Sequence, residues 1–215
     1  MKVKKLLFIL LPLPFILVAI FFSIYNNIPR IVYTYNEAYD GYLVDYVYGN
    51  SKEYVIPKEY NGKKVVGFDS RAFYEHKGLE SIRFEEETNI KIISRLAFAE
   101  CNNLKTMSLS NLDEIGKNAF QNCISLDNIN LSVERIEGSA FFGCDSLKSV
   151  TLTNTDSIGS YAFSMCKSLE KLKLPFSCRT VYDFCFLYSG LKELIVPRRL
   201  QHNTYIKSLD YVTFY

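Results

Sequence analysis

The sequence contains no tryptophan and only two histidines among its 215 residues. The chain therefore offers few residues for a mechanism that uses imidazole as an acid, a base or a metal ligand. The chain also has no Cys-x-x-Cys pair, nucleophile elbow, phosphate loop, zinc-protease helix or dinucleotide-binding motif. We therefore expect neither an enzyme nor a metal or cofactor site.

An excess of charge of one sign is lacking too. The 25 basic and 23 acidic residues leave a formal net charge of +2. This balance argues against a strongly cationic nucleic-acid-binding protein and against an acidic disordered tail. Apolar residues make up 48% of the chain, which is ordinary for a globular protein. We expect a folded module that has no nucleic-acid partner.

The N-terminus carries a long apolar segment. Residues 6–25 contain no charge and would span about 30 Å as a helix, the thickness of the hydrocarbon core. This pattern predicts one transmembrane anchor after a cytoplasmic basic tail at residues 1–5, with the rest of the chain outside the cytoplasm. The alternative is a cleaved secretory signal, although no small-x-small cleavage site follows the segment. In that case the protein would be secreted.

The rest of the chain is a repeat. An Ala-Phe pair recurs with spacings of 25, 22, 21, 22 and 23 residues between successive phenylalanines. The copies are Ala72-Phe73, Ala97-Phe98, Ala119-Phe120, Ala140-Phe141, Ala162-Phe163 and the divergent Cys185-Phe186. A period near 22 is typical of leucine-rich repeats. We assign the repeats to residues 65–200 and a partial repeat or cap to residues 201–215.

Each repeat has two halves. The second half, Leu-x-x-apolar-x-apolar, ends with the alternation of a β-strand. The first half places Ala-Phe, Cys and Leu at steps of three, which predicts a short 3₁₀-like turn rather than a long helix. Partial copies at Tyr54–Pro57 and Leu209–Phe214 bring the count to eight rungs, which would stack to roughly 35 Å.

These units resemble the BspA-like leucine-rich repeat family. The segment from Ile158 to Pro175 matches the family pattern Ile-Gly-x-x-Ala-Phe-x-x-Cys-x-x-Leu-x-x-Ile-x-Ile-Pro almost position by position. The resemblance implies a mainly β leucine-rich-repeat solenoid behind the N-terminal helix. It also implies a surface-exposed or secreted protein linked to adhesion, and it supplies no catalytic residues. The first repeat departs from the pattern at His76, where Cys is usual.

A tyrosine-rich segment precedes the repeats, within residues 26–64. Tyr42–Tyr48 followed by Gly49-Asn50-Ser51 predicts a strand and a turn. One interpretation is a β cap that shields the first rung, because the ends of solenoids need covering. The other is an aromatic surface that binds a ligand.

Four of the six cysteines occupy one column of the repeat: Cys101, Cys123, Cys144 and Cys166. The same column holds His76 in the first repeat and Ser189 in the sixth. Stacked side chains about 4.8 Å apart point in parallel, which strains a disulfide. We therefore predict four reduced, buried cysteines. Cys178 and Cys185 lie outside the column, and the sequence leaves open whether they pair.

Outward-facing strand residues form the candidate ligand-binding face. They are Thr106, Ser108, Asn128, Asn130, Ser149 and Thr151 in the middle rungs, followed by Lys171 and Lys173. These residues would present hydrogen-bonding groups to a protein or a glycan, or they would form cross-strand ladders with one another. The two lysines, with Arg198 and Arg199, would either meet an anionic polymer or form a solvated surface.

The sequence thus favours a membrane-anchored, extracytoplasmic leucine-rich-repeat binding module that acts in cell-surface adhesion or in protein or glycan recognition. The alternative is a structural scaffold for envelope protein complexes. No cofactor is expected in either case.

Overall fold

The computed structural model describes residues 30–86 and 88–215. No helix in these residues is long and apolar enough to cross a membrane. The predicted basic tail at residues 1–5 and anchor at residues 6–25 lie outside the described residues.

Fifteen short strands make up most of the regular structure of the described chain. In order they are β1 (Arg30–Asn36), β2 (Gly41–Tyr48), β3 (Glu53–Ile56), β4 (Glu59–Tyr60), β5 (Lys63–Phe68), β6 (Ser81–Phe84), β7 (Ile92–Ile93), β8 (Thr106–Ile115), β9 (Asn128–Ile136), β10 (Ser149–Thr153), β11 (Ser157–Ile158), β12 (Lys171–Lys173), β13 (Thr180–Val181), β14 (Glu193–Val196) and β15 (Val212–Phe214). A 3₁₀ turn at Arg198–Leu200 and a one-turn helix α1 at Thr204–Lys207 lie near the C-terminus.

The predicted repeat strands form one side of the solenoid, which we call the front sheet. It contains β3, β6, the first halves of β8 and β9, and β10, followed by β12, β14 and β15, which are hydrogen-bonded to one another but not to β10. Hydrogen-bonded neighbours in it run parallel and in register, as in the pairs Ile129–Val150 and Leu194–Val212. The burial pattern of β9 alternates from Asn128 onward, with Ile129 and Leu131 inward. The mainly β solenoid of eight rungs is therefore confirmed.

A second parallel sheet, for which the repeat pattern gave no prediction, forms another side. It runs through β2, β5, β7, the second halves of β8 and β9, β11 and β13. Its strands are as short as two residues, and they place apolar residues in the core, for example Ile115, Ile136 and Ile158. A rung in the middle of the solenoid thus has a front-sheet strand, a second-sheet strand and a turn.

The turn side corrects the prediction of a 3₁₀-like geometry. Hydrogen bonds between residues three apart are present, from Ala97 N to Ser94 O and from Cys101 N to Phe98 O. The amide of Phe98, however, donates to Ala119 O of the next rung at 2.8 Å. Alternate amides therefore join neighbouring rungs, which a continuous 3₁₀ helix does not allow.

Two residues of every turn adopt left-handed backbone conformations to produce this pattern. Their φ angles lie between 56° and 71°. They are Arg71 and Glu75, Leu96 and Glu100, Asn118 and Asn122, Ser139 and Gly143, Tyr161 and Met165, and Phe184 and Tyr188. A left-handed residue with a side chain costs roughly 1–2 kcal/mol, and the inter-rung hydrogen bonds offset that cost.

The phenylalanine column forms the predicted aromatic spine. Phe98, Phe120, Phe141 and Phe163 are fully buried and stack with centroid distances of 5.1–5.2 Å and interplanar angles of 4–6°. Each ring thus fills the space between its two neighbours. Burial of these rings supplies much of the hydrophobic driving force for stacking the rungs.

The cysteine column also joins rungs. Cys123 Sγ lies 3.1 Å from Phe98 O, and Cys144 Sγ lies 3.2 Å from Phe120 O, so each thiol can donate to the preceding rung. All six cysteines are free and buried, which agrees with the prediction for the four column residues. Burial raises the pKa of the Cys101 thiol to about 12. Cys178 and Cys185 are unpaired in the structure.

Both ends of the solenoid carry additional structure. At the N-terminal end, β1 and β2 form an antiparallel hairpin, and β2 extends the second sheet by pairing with β5. Tyr33 stacks on Tyr60 there, with centroids 4.2 Å apart. At the C-terminal end, Leu200 and Ile206 are buried against the last rung.

Candidate binding face

The candidate residues of the middle rungs lie in rows across the front sheet. Parallel pairing aligns Thr106 with Asn128 and Asn128 with Ser149. The next row aligns Ser108, Asn130 and Thr151. The strand register therefore brings all six residues together on the same part of the front sheet.

The polar side chains of five of these residues are not used internally. Thr106, Asn128, Asn130, Ser149 and Thr151 are all exposed, and no side-chain hydrogen bond joins these five residues to the described chain. The cross-strand ladders that the sequence also allowed are therefore not formed by these side chains. Their hydroxyl and amide groups are available to an external partner.

A shallow depression of about 430 Å³ lies over the middle of β8 and β9 and the carboxyl end of β10. It includes Asn130 and Thr151 from the predicted set. It also includes three residues outside that set, Ser110, Ser132 and Thr153, together with Leu109 and Leu131. Thr153 donates to Leu131 O at 3.3 Å, and no charged side chain lines the depression. These additional residues continue the outward alternation of the strands, so the strand period was the signal for them.

The two lysines of the predicted face are engaged with neighbours. Lys171 Nζ lies 2.8 Å from Glu193 Oε2 on β14, and Lys173 Nζ lies 4.8 Å from the centre of the Tyr215 ring. At the other end of the sheet, Arg83 Nε lies 3.0 Å from Glu53 Oε1. The structure therefore does not present Lys171 and Lys173 as a free cationic pair, and the middle rungs form an uncharged strip between charged residues that contact neighbouring side chains.

A charge ladder runs along the edge of this face. The residue after each repeat leucine is charged, and its sign alternates through Glu80, Lys105, Asp127, Lys148, Glu170 and Lys192. Ion pairs join Lys105 to Glu80 at 2.7 Å, Lys148 to Asp127 at 3.1 Å and Lys192 to Glu170 at 2.6 Å. Lys105 and Lys52 lower the pKa of Glu80 to about 2. The ladder therefore keeps the border of the face charged and internally paired.

The histidine that replaces the first column cysteine is half-buried at the N-terminal end. His76 Nε2 lies 3.1 Å from the hydroxyl of Tyr54, which donates to Tyr48 O at 2.9 Å. Burial lowers the pKa of His76. The imidazole packs against the rings of Tyr54 and Phe73 at the end of the core.

Comparison with protein families decides the classification. A pattern described as a BspA type leucine rich repeat region, with six copies, matches residues 61–132 and 113–209. The chain belongs to this BspA type leucine-rich repeat family. Repeat proteins of this family are typically binding proteins rather than enzymes. The chain matched none of the curated proteins with which it was compared.

The fold of this chain is also seen in a solved structure. A leucine rich repeat protein of T. pallidum is 23% identical, with a TM-score of 0.64 over 83% of this chain and 91% of that chain. The pneumococcal vaccine antigen PcpA is 22% identical, with a TM-score of 0.43 over 71% of this chain and 32% of that chain. A leucine rich cell surface protein of Faecalibacterium prausnitzii is 12% identical, with a TM-score of 0.37 over 86% and 93%. The first likeness shows the shared fold, and the other two are too distant to add to it.

Proposed function

We propose that this BspA type repeat protein is a recognition module that binds a protein or a glycan through the middle of its front sheet. The observation that carries the proposal is the uncharged strip that includes Asn128, Asn130 and Thr151. The side chains of these three residues form no hydrogen bond with the described residues, while Lys171 and Arg83 on either side of the strip are ion-paired. These groups can therefore be satisfied only by water or by a partner.

The side chains of the strip suit recognition energetically. Serine and threonine lose little rotamer freedom when a partner docks, compared with lysine or arginine. Strands hold them in fixed rows, and repeat proteins bind through extended surfaces of this kind. The depression beside Asn130 and Thr151 offers a place where a projecting group of the partner can be seated.

The proposed setting is the cell surface, where the module takes part in adhesion. The support for this setting is the apolar segment at residues 6–25 and the family resemblance. Mass spectrometry of the mature protein tests it. A retained N-terminus supports an anchor, and a new N-terminus between residues 20 and 31 supports secretion after cleavage.

The experiment for the binding function is affinity capture with the full-length protein in mild detergent. One arm offers host-matrix proteins and glycans, and the other offers a membrane extract of the source cell. Specific capture in the first arm supports adhesion, whereas capture only in the second favours an envelope scaffold. A captured partner that binds equally well after the front sheet is altered would contradict the proposed site.

A further inference from the structure

The two ends of the front sheet are built differently. At the N-terminal edge, Ile56 O accepts from Glu85 N, so the backbone groups of Glu53, Val55 and Pro57 face away from the sheet. Ser51 Oγ donates to Glu53 O at 2.7 Å and accepts from Glu53 N at 3.4 Å, and proline has no amide hydrogen. Of the outward amides, only that of Val55 has no partner among the described residues, so this edge is largely blocked against further strand pairing.

The C-terminal edge, β15, is open. Leu194 N donates to Tyr211 O at 2.9 Å, and Tyr215 N donates to Val196 O at 3.0 Å. Because backbone groups alternate in direction along a strand, those of Val212 and Phe214 face outward. Their amide and carbonyl groups form no hydrogen bond with any residue that the structure describes.

The other two sides of this end are covered. Asn203 Nδ2 donates to Val181 O of the second sheet at 2.7 Å. On the turn side, the Tyr205 hydroxyl accepts from Phe186 N at 3.0 Å. Side chains thus cap the second sheet and the turn, while β15 keeps two outward donors and two outward acceptors. Phe214 is 37% exposed beside them.

We propose that β15 pairs antiparallel with β15 of a second copy of this chain. A twofold axis at Thr213 would place Val212 of one copy opposite Phe214 of the other. Each such pair exchanges two backbone hydrogen bonds, so the dimer satisfies all four groups on each edge. Thr213 would face its own counterpart with Cα atoms about 4.5 Å apart, the separation of a pair without hydrogen bonds.

The charges at the ends of β15 favour this occupant. Asp210 precedes the strand, and Arg198, whose amide donates to Tyr215 O at 2.9 Å, lies at its far end. Neither residue forms an ion pair with the described chain. Antiparallel pairing brings Asp210 of each copy toward Arg198 of the other. The interface therefore contains two pairs of opposite charges.

The blocked N-terminal edge decides the symmetry. Head-to-tail stacking would need β3 as the second partner and would propagate into a filament. Because β3 is blocked, β15 of one copy pairs with β15 of the other, and this symmetric contact gives a closed dimer. The two front sheets would then be continuous, with both binding faces on one side, and two linked faces raise the avidity for a repetitive partner.

Cysteine cross-linking of the full-length protein tests the proposal directly. A Thr213→Cys variant should form an intermolecular disulfide under mild oxidation, because its two thiols would face each other across the axis. The matched control is Ile195→Cys, one strand further in and in register with Thr213. In the control variant, the two introduced thiols would lie beyond disulfide reach. The native cysteines are buried and should not contribute.

Efficient cross-linking of the first variant and none of the second is the expected result. Equal cross-linking of both variants, or none of either, would overturn the proposal. A second test needs no cysteine. Light scattering over a concentration series should show a dimer for the wild type and at least tenfold weaker association for Val212→Pro, which removes one outward amide hydrogen. A wild-type protein that stays monomeric would also overturn the proposed dimer. An extended peptide would then be the partner that the edge could still accept.

Discussion

Removal of one ring from the phenylalanine spine gives a quantitative test of the fold. Phe120 is fully buried between Phe98 at 5.2 Å and Phe141 at 5.1 Å. Truncation to alanine removes a buried aromatic side chain and leaves a cavity that the stacked rungs on both sides cannot close. Phe→Ala changes of this kind cost about 3–5 kcal/mol. We expect the Phe120→Ala variant to lose that much free energy of unfolding.

Two further variants separate stacking from burial. Phe120→Leu keeps most of the apolar volume but loses two ring pairs, each worth about 0.5–1.5 kcal/mol, so we expect a loss of about 1–3 kcal/mol. Phe176→Ala is the exposed control, because Phe176 is 68% exposed and contacts Arg199 at 4.2 Å. It should cost under about 1 kcal/mol.

The assay is urea unfolding followed by circular dichroism, with the slope of each transition compared. Long repeat arrays can lose two-state behaviour, so coincident transitions by fluorescence of the tyrosines are needed as a check. A loss below about 1 kcal/mol for Phe120→Ala would refute the view that the spine is core.

Two other predictions concern buried side chains. The thiol of Cys123 should resist alkylation in the folded protein and react after unfolding, because burial raises its pKa well above the usual value; intact-mass measurement checks this, and a disulfide within the column would contradict it. The pKa of His76 is lowered by burial, so the folded state disfavours the protonated imidazole. The stability that neutral His76 contributes is therefore present above about pH 6.5 and is lost as the pH falls. Wild type should therefore lose more stability between about pH 7 and pH 5 than His76→Cys, and equal losses in urea titrations would count against this reasoning.

The solenoid could be predicted because its signals recur. The Ala-Phe pairs return every 21–25 residues, so a weak local pattern became a strong one over six copies. The outward positions of Asn128 and Thr151 followed from the alternation of the strands. The alternating charges from Glu80 to Lys192 were equally visible in the sequence, and the strand register turns them into a ladder of ion pairs.

Other features of the fold could not be predicted from the sequence pattern. The second sheet is built from pieces such as Ser157–Ile158, which are too short to show any alternation. The left-handed turn positions include Leu96, Tyr161 and Phe184, residue types that do not normally mark such turns. Hydrogen bonds between rungs, such as Leu96 N to Lys117 O and Phe163 N to Cys185 O, stabilise these turns, so tertiary structure overrides local preference. The pairing of Lys171 with Glu193 required knowledge of which strands are neighbours.

The central claim is that the front sheet is the binding surface, and a pair of double variants tests it most directly. Asn128→Lys with Thr151→Lys adds bulk and charge to the uncharged strip without placing the two lysines directly opposite each other. Ile124→Lys with Tyr182→Lys adds the same charge at exposed positions outside the front sheet. The affinity of the captured partner should be measured for both double variants, once their free energies of unfolding have been shown to be equal. We expect at least tenfold weaker binding by the first double variant and unchanged binding by the second. Equal affinities for the two double variants would contradict the account.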